Sequence, residues 1–361
     1  MKRHTRIAAV ALLAMLSGTA AAQQFGRIAY LEGTVTLFHE GDEVYADIGT
    51  DIYVGDLIRT GLDGYVELDA QGGRTAVTIA EDTVMRVEQT ASGGGTETAF
   101  TLLRGDVDFV VDRLVGNDSL SVDTGTVVLG VRGTEFQVRT SPDDSVALGV
   151  TEGRVAAGRD GDEVLADAGT AVESVNRGGL RTRRVEPGRM EEFLAGWQEA
   201  RMQAFRSGAD TFITAYGRRY LDQYPRFRDA YGALAPYAEA MRDAAGESGM
   251  GGRAERFRLR AEVSGPAVQV RSILPIFENT FYRLGELSRY HAEGLGRTRI
   301  NERLTSTQFF REFDARMSRT EMELADARYL LDLYAELEEG TMGGLPSGES
   351  PFDSDGLRPD F

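Results

Sequence analysis

TGTVVLGVRGTEFQV, residues 124–138, places Val127, Leu129 and Val131 before an arginine and Phe136 and Val138 after it, with Gly125, Gly130 and Gly133 between. A period of two, carried by β-branched and aromatic residues and punctuated by glycine, is the pattern of short strands. A phosphate loop would need Gly-Lys-Ser/Thr, or a GxGxxG opening a helix; neither is present, and strand residues flank the glycines on both sides. Turns and bulges account for these glycines. Arg132 stands in a run otherwise fit for burial, so its guanidinium is expected to pair with Asp123 or Glu135 and fix the strand crossing, in preference to touching a ligand. The motif Gly130, Val131, Arg132, Gly133, Thr134, Glu135, Phe136 is accordingly structural.

The same period extends in both directions: Val35 and Leu37, Val66 and Leu68, Val77 and Ile79, Val107 and Phe109, Leu120 and Val122, Val146 and Leu148. Turn residues separate these runs, which predicts an all-β domain over residues 23–186, a roll, a sandwich or a short β-helix. The chain also repeats itself. EGTVTLFHEGDEVYADIGT (32–50) aligns without gaps with EGRVAAGRDGDEVLADAGT (152–170), and 11 of the 19 positions are identical. One hairpin unit, entered through Glu-Gly and left through Gly-Thr, is expected to begin and end the domain, with a tight turn at Asp160-Gly161 in the second copy. Copies this far apart do not make a long solenoid.

After Pro187 the period changes to that of helices. Met190, Leu194 and Trp197, then Val270, Ile273, Phe277, Phe281, Leu284 and Leu287, recur at three and four residues. Phe310, Phe313, Met317, Thr320, Leu324, Ala327, Leu331 and Tyr334 keep one apolar seam, so an all-α bundle is predicted for residues 187–339. Thr305 with Gln308 and Ser318 with Glu321 have capping-box spacing, the second dividing the long helix. Pro225 and Pro236 mark breaks or first-turn positions, and GESGMGG (246–252) a loop between helices. Residues 340–361 are too poor in apolar side chains to order themselves.

The amino terminus combines Lys2, Arg3 and Arg6, a short apolar run from Ile7 to Leu16, and Ala20 and Ala22 before Gln23, which is the pattern of a secretory signal peptide over residues 1–22 cut after Ala22. The apolar run is too short to span a bilayer, and no later segment comes close, so a periplasmic or secreted protein without a transmembrane segment is expected. There is no cysteine, which excludes disulfides, thiolate metal sites and thiol catalysis. The net charge of −17 becomes −20 once the three basic residues of the signal are removed, and every basic residue left is arginine. Such a charge argues against nucleic acid as a partner.

GDLIRTG (55–61), GYVEL (64–68), IAEDT (79–83), LLRGDVDF (102–109), VDTGTVVLGVRGTEF (122–136) and TEGRV (151–155) together resemble the FecR domain family, over residues 27–175 or so. The GVRGTEF signature is the most specific of these pieces. The resemblance implies a β-rich binding or sensing module outside the cytoplasm, without catalytic residues. Regulators that give the family its name carry a sigma-factor-binding segment and a membrane span before this domain; here a cleavable signal stands in their place, so sigma-factor regulation does not carry over. The helical region resembles no family we can name.

Catalytic and metal chemistry finds little support in the residues. His39 and His291 are the histidines left after signal removal and fall in different domains, which excludes a histidine triad or a two-histidine metal site within one domain. His291 is expected near a helix end, before Gly294, where a cation favours the helix dipole. Asp42 with Glu43, Asp143 with Asp144 and Asp162 with Glu163 lack calcium-loop spacing, and turns of an acidic protein collect carboxylates in any case. The basic run 176–189, with five arginines, is read as a final strand and linker held by the acidic β domain. The expected function is that of an exported, non-enzymatic interaction or sensing module in the cell envelope, bound to a protein or glycan, with no cofactor or metal and an oligomeric state left open. Two alternatives stand beside it: a hydrolase of an envelope polymer, using carboxylates across a cleft between the domains, and a signalling component acting through a membrane-bound partner.

Overall fold

Alternating valine, leucine and phenylalanine give each strand one apolar face, and two such faces bury each other. The computed structural model describes residues 23–92, 95–112, 116–159, 161–246 and 250–342. In it, residues 24–184 are all β and residues 190–342 are helical. The β region forms two nine-stranded sheets. The first runs, edge to edge, Leu180–Arg184, Thr170–Ser174, Val146–Glu152, Glu135–Thr140, Asp106–Val111, Thr75–Ile79, Tyr65–Ala70, Gln24–Glu32 and Asp51–Tyr53. The second runs Asp162–Asp167, Arg154–Arg159, Val128–Val131, Ser119–Asp123, Gly95–Arg104, Val84–Ser92, Leu57–Thr60, Val35–His39 and Asp42–Tyr45. The chain passes between the sheets, most often after a pair of strands, and among the described residues every ladder is antiparallel except Ser119–Asp123 against Gly95–Arg104. Between the sheets, Phe25, Phe100, Phe109 and Phe136 form a row with ring centroids 5.5, 5.1 and 4.8 Å apart. Burying each such ring contributes about 1.5–3 kcal/mol. Phe136 of the opening motif is therefore a core residue, stacked on its cross-strand partner Phe109.

The repeated segments are hairpins. Val35–His39 pairs with Asp42–Tyr45, and Arg154–Arg159 with Asp162–Asp167. They close opposite edges of the second sheet. The entry glycines take left-handed backbone angles, Gly33 with φ 67° and Gly153 with φ 77°. A Cβ on Gly33 would lie 1.9 Å from the carbonyl oxygen of Asp63, and one on Gly153 2.5 Å from that of Gly133. Only glycine satisfies both conditions. In the first copy Glu40 and Gly41 both have positive φ, as a tight type I′ turn requires; Asp160 of the second lies outside the described residues.

The helical part begins with α1 (Met190–Leu234), followed by a short 3₁₀ turn (Ala235–Tyr237), α2 (Ala238–Gly246), α3 (Met250–Ala292), α4 (Ser306–Asp314) and α5 (Met317–Met342). The expected seam from Phe310 to Tyr334 is buried at every position but Met317, which is partly buried, and faces α1 and α3. Several local expectations need correction. Pro225 does not break a helix but sits inside α1, whose one departure from helical geometry is at Gly208; Pro236 does occupy a first-turn position. Thr305 and Gln308 form the expected capping box. Ser318 and Glu321 do not, because α5 has already begun at Met317 and the Glu321 carboxylate is taken by Arg59. The 246–252 loop is shorter than expected: Gly246 ends α2 and Met250 opens α3, with 247–249 outside the described residues. α5 continues three residues into the expected tail, and the rest of that tail, like the signal segment 1–22, lies outside the described residues.

The two parts are packed together. Met190, Leu194 and Trp197 of α1 cover Ala147 and Ala171 of the first sheet, at a place where a Cβ on Gly149 would meet the Met190 sulfur at 2.7 Å. Phe38, Leu57, Val84 and Leu103, on the outer face of the second sheet, join the core of the helical bundle. Among the described residues no helix is long and apolar enough to cross a membrane.

Candidate functional site

On the strand Leu57–Thr60, Ile58 points between the sheets while Leu57 and Arg59 point outward to the helices; Met85 and Val87 likewise point inward and Val84 and Arg86 outward. The pleat therefore delivers Arg59 and Arg86 to one face, joined by Arg104, which lies opposite Val84. Each faces a carboxylate. Arg59 donates to Glu321 at 2.8 Å and to the Thr36 hydroxyl at 3.0 Å. Arg86 donates to Oε1 of Glu278 at 2.6 Å, while Arg328 of α5 donates to Oε2 of the same carboxylate. Arg104 lies 2.9 Å from Asp82, whose two oxygens also accept from Arg289 of α3.

Three of the sequence pieces quoted above converge on this face. The Thr60 hydroxyl of GDLIRTG accepts from the Thr83 backbone at 2.8 Å, and the Thr83 hydroxyl of IAEDT accepts from the Asp106 backbone of LLRGDVDF at 3.0 Å. Gly105, with φ 97°, lies so close that a Cβ would sit 2.2 Å from the Thr83 hydroxyl. This knot holds Asp82 at φ 55°, an unusual conformation for a residue other than glycine, and aims its carboxylate at Arg104 and Arg289. Next to it a cavity of about 340 Å³ opens between sheet and helices, with Arg59, Asp82, Arg104, Tyr282, Arg289 and Glu321 among its walls.

Burial dominates the electrostatics of the cleft. It pulls the Arg104 guanidinium below its ordinary pKa against the favourable charges of Asp82 and Glu286, with Arg289 and Arg283 adding to the fall. It also raises the Glu321 carboxyl, opposed by Arg59 and Arg104. Burial likewise works against Arg86, yet Glu278 and Glu88 outweigh it and the guanidinium ends above its ordinary value. A guanidinium stays charged across the accessible pH range, so the positive half of the cleft is permanent.

A second charged node lies at the Ser141–Ser145 turn. Tyr216 of α1 donates to Asp144, Arg177 does so at 2.9 Å, and Arg201 lies 3.6 Å from Asp143. The Asp143 and Asp144 pair is thus neutralised by arginine and tyrosine, and among the described residues no group of acidic, histidine or cysteine side chains could hold a metal. Asp42, Glu43, Asp162 and Glu163 lie exposed on the two edge hairpins.

The expected Arg132 ion pair is overturned. Arg132 is exposed, and among the described residues it makes no ion pair with Asp123, Glu135 or any other carboxylate. It follows Val131 at the end of its strand, where the alternation turns it outward, and Asp123 instead accepts from the Gly125 backbone at 2.7 Å. Of the motif's other residues, Val131, Thr134 and Phe136 are buried. His39 and His291 are in separate parts; His39 lies 2.7 Å from Asp56, and His291, in the last turn of α3, contacts the Leu295 carbonyl at 2.9 Å. In the basic run, Leu180–Arg184 is an edge strand, Arg177 reaches Asp144, Arg183 lies over the Phe193 ring, and Arg189 pairs with Glu186 and Glu192.

Residues 56–156, less than a third of the chain, match the family described as FecR protein. Arg59, Asp82, Arg86 and Arg104 all fall within that span. Two crystal structures of a candidate anti-sigma factor from Parabacteroides distasonis ATCC 8503 are similar to the chain at 19% identity and a TM-score of 0.33; the likeness covers 38% of this chain and 64% and 63% of those chains, less than two thirds of their length. No curated protein matches the sequence.

Proposed function

We propose that the protein is an exported, non-enzymatic binding and sensing module of the cell envelope, comprising a FecR-like β domain over residues 23–186 and a helical domain over 187–339, which recognises an envelope protein or glycan at their junction. The observation that carries this reading is the placement of Arg59, Asp82, Arg86 and Arg104. All four lie in the segment matched to the FecR family; Arg59, Asp82 and Arg86 are held by helices of the same chain, and Arg59, Asp82 and Arg104 line an open cleft. A photo-crosslinking residue at Leu62, which is 67% exposed and lines the cleft, tests it in intact cells. Capture of one discrete envelope component supports the reading; recovery of the protein alone at native abundance counts against it. A membrane protein as the captured component would favour the signalling alternative.

One observation favours the hydrolase reading: Asp82 and Glu321 line the same cleft, and burial raises the Glu321 carboxyl as a general acid requires. Both carboxylates are held by arginines, however, which suits binding better than proton transfer. Turnover of an envelope polymer that disappears in Glu321→Gln would establish it.

A further inference from the structure

Arg104 is 7% exposed, lines the cleft and, among the described residues, makes no hydrogen bond; its Nε and Nη1 are buried without an aligned acceptor, Nη1 lying 2.9 Å from Asp82, which leaves Nη2 as the edge open to the cleft. Guanidinium donors without acceptors are costly in a half-closed cleft, and a ligand oxyanion would accept from Nη2. Arg59 and Arg289, the other two guanidiniums of the cleft, each already donate to acceptors of the protein, Glu321 and Thr36 for the first and Asp82 for the second. The charges along the cleft wall, three guanidiniums against two carboxylates, leave a single positive charge. The chain as a whole is strongly acidic, at −17, which disfavours a multiply charged anion.

Gly285 adds an independent observation. It sits inside α3 at a cleft-lining position, where a Cβ would meet only the Met317 sulfur at an ordinary 3.8 Å. Neither its backbone angle nor close packing requires glycine there, and a helix interior disfavours it. Its effect is to leave that part of the cleft open. The remaining walls include Leu62, Phe281 and Met317, so the cleft offers apolar surface as well as Arg104. About 340 Å³ is at the lower end of the range of small-ligand pockets.

From this geometry we infer that the cleft binds a small monocarboxylate with an apolar body, its carboxylate on Arg104 and its body against Phe281 and Met317. The inference rests on the cleft being the recognition site of the proposed function. Two sources share this chemistry, a free organic acid and the carboxyl terminus of a peptide.

Calorimetric titration of the full chain with 3-phenylpropanoate, N-acetylphenylalanine, 3-phenylpropanamide and inorganic phosphate separates them. At least one of the two carboxylates is expected to bind about tenfold or more tightly than the neutral amide and than phosphate. Preference for N-acetylphenylalanine assigns the site to a peptide terminus, and preference for 3-phenylpropanoate to a free acid. Arg104→Gln should weaken carboxylate binding at least about tenfold. Should that variant fail to fold, Gly285→Leu fills the cleft while keeping every charge; it is expected to abolish binding with the melting temperature unchanged or raised. Absence of binding by wild type at about 10 mM of either carboxylate, equal affinity for the amide, tighter binding of phosphate, or wild-type affinity in Gly285→Leu would overturn the inference. If binding fails while crosslinking through Leu62 still captures a partner, this inference falls and the proposed function stands.

Discussion

Arg86 and Glu278 meet at 2.6 Å with each residue 2% exposed, one on the second sheet and the other 192 positions later on α3. The carboxylate's other oxygen accepts from Arg328, so one side chain ties the sheet to two helices. Removing it leaves Arg86 buried, and Arg328 half-buried, without their shared counter-ion. Glu278→Gln is therefore expected to lower unfolding stability by about 3–5 kcal/mol, measured by urea denaturation, with parallel loss of signal from sheet and helix. A loss below about 1 kcal/mol would mean that the pair behaves as a solvated surface bridge.

Two hairpin glycines make a graded series, Gly33 at the entry of the first hairpin and Gly161 at the turn of the second. Gly33→Ala combines left-handed backbone strain with a Cβ 1.9 Å from a carbonyl oxygen, whereas Gly161→Ala has φ 88° and open space around its Cβ. Backbone strain alone costs about 1–2 kcal/mol, the loss expected for Gly161→Ala. Gly33→Ala should lose clearly more. Equal losses from the two would show that the Asp63 loop moves aside.

Asp106 provides a pH prediction. Burial raises its carboxyl to about 6 against Arg139, Gln198 and the Thr140 backbone, with Asp108 adding to the rise. A carboxyl raised on folding binds its proton more tightly in the folded state, so its contribution to stability is fully present below the ordinary value of 3.8 and is lost as pH rises through about 6. The stability of wild type relative to Asp106→Asn should fall by on the order of 2 kcal/mol between those limits. Urea unfolding of both proteins from pH 4 to 7.5 reads it; parallel profiles would place the titration elsewhere.

Arg132→Ala should change stability by less than about 0.5 kcal/mol, as for a surface residue that forms no ion pair among the described residues. A thermal melt decides the matter, and a large drop would restore the ion pair that the sequence pattern suggests.

The contrast between Arg132 and Arg59 shows where sequence reasoning stops. The strands, the repeated hairpins and the helical seam were legible because each rests on a local period, and Phe136 and Leu331 fell on the buried side as that period demands. A period of two assigns alternate residues to a face, but not what covers that face. Arg59 and Arg104 lay within quoted motif pieces, yet the partner of Arg59 is 262 residues away in α5 and the carboxylate beside Arg104 is also held from α3. The signal available was an arginine inside an apolar run, in GDLIRTG and LLRGDVDF as much as in GVRGTEF. Only the fold separates the arginine that ends a strand from those covered by a helix.

Lys2 is the chain's single lysine, so every later bond open to a trypsin-type protease follows an arginine. Arg86, Arg104 and Arg283 lie 2%, 7% and 6% exposed between sheet and helices. Cleavage after them requires the junction to open, since a protease acts on the locally unfolded chain. The fragments of a limited digest thus record how often sheet and helices part, and a ligand seated in the cleft would slow the appearance of those fragments in particular.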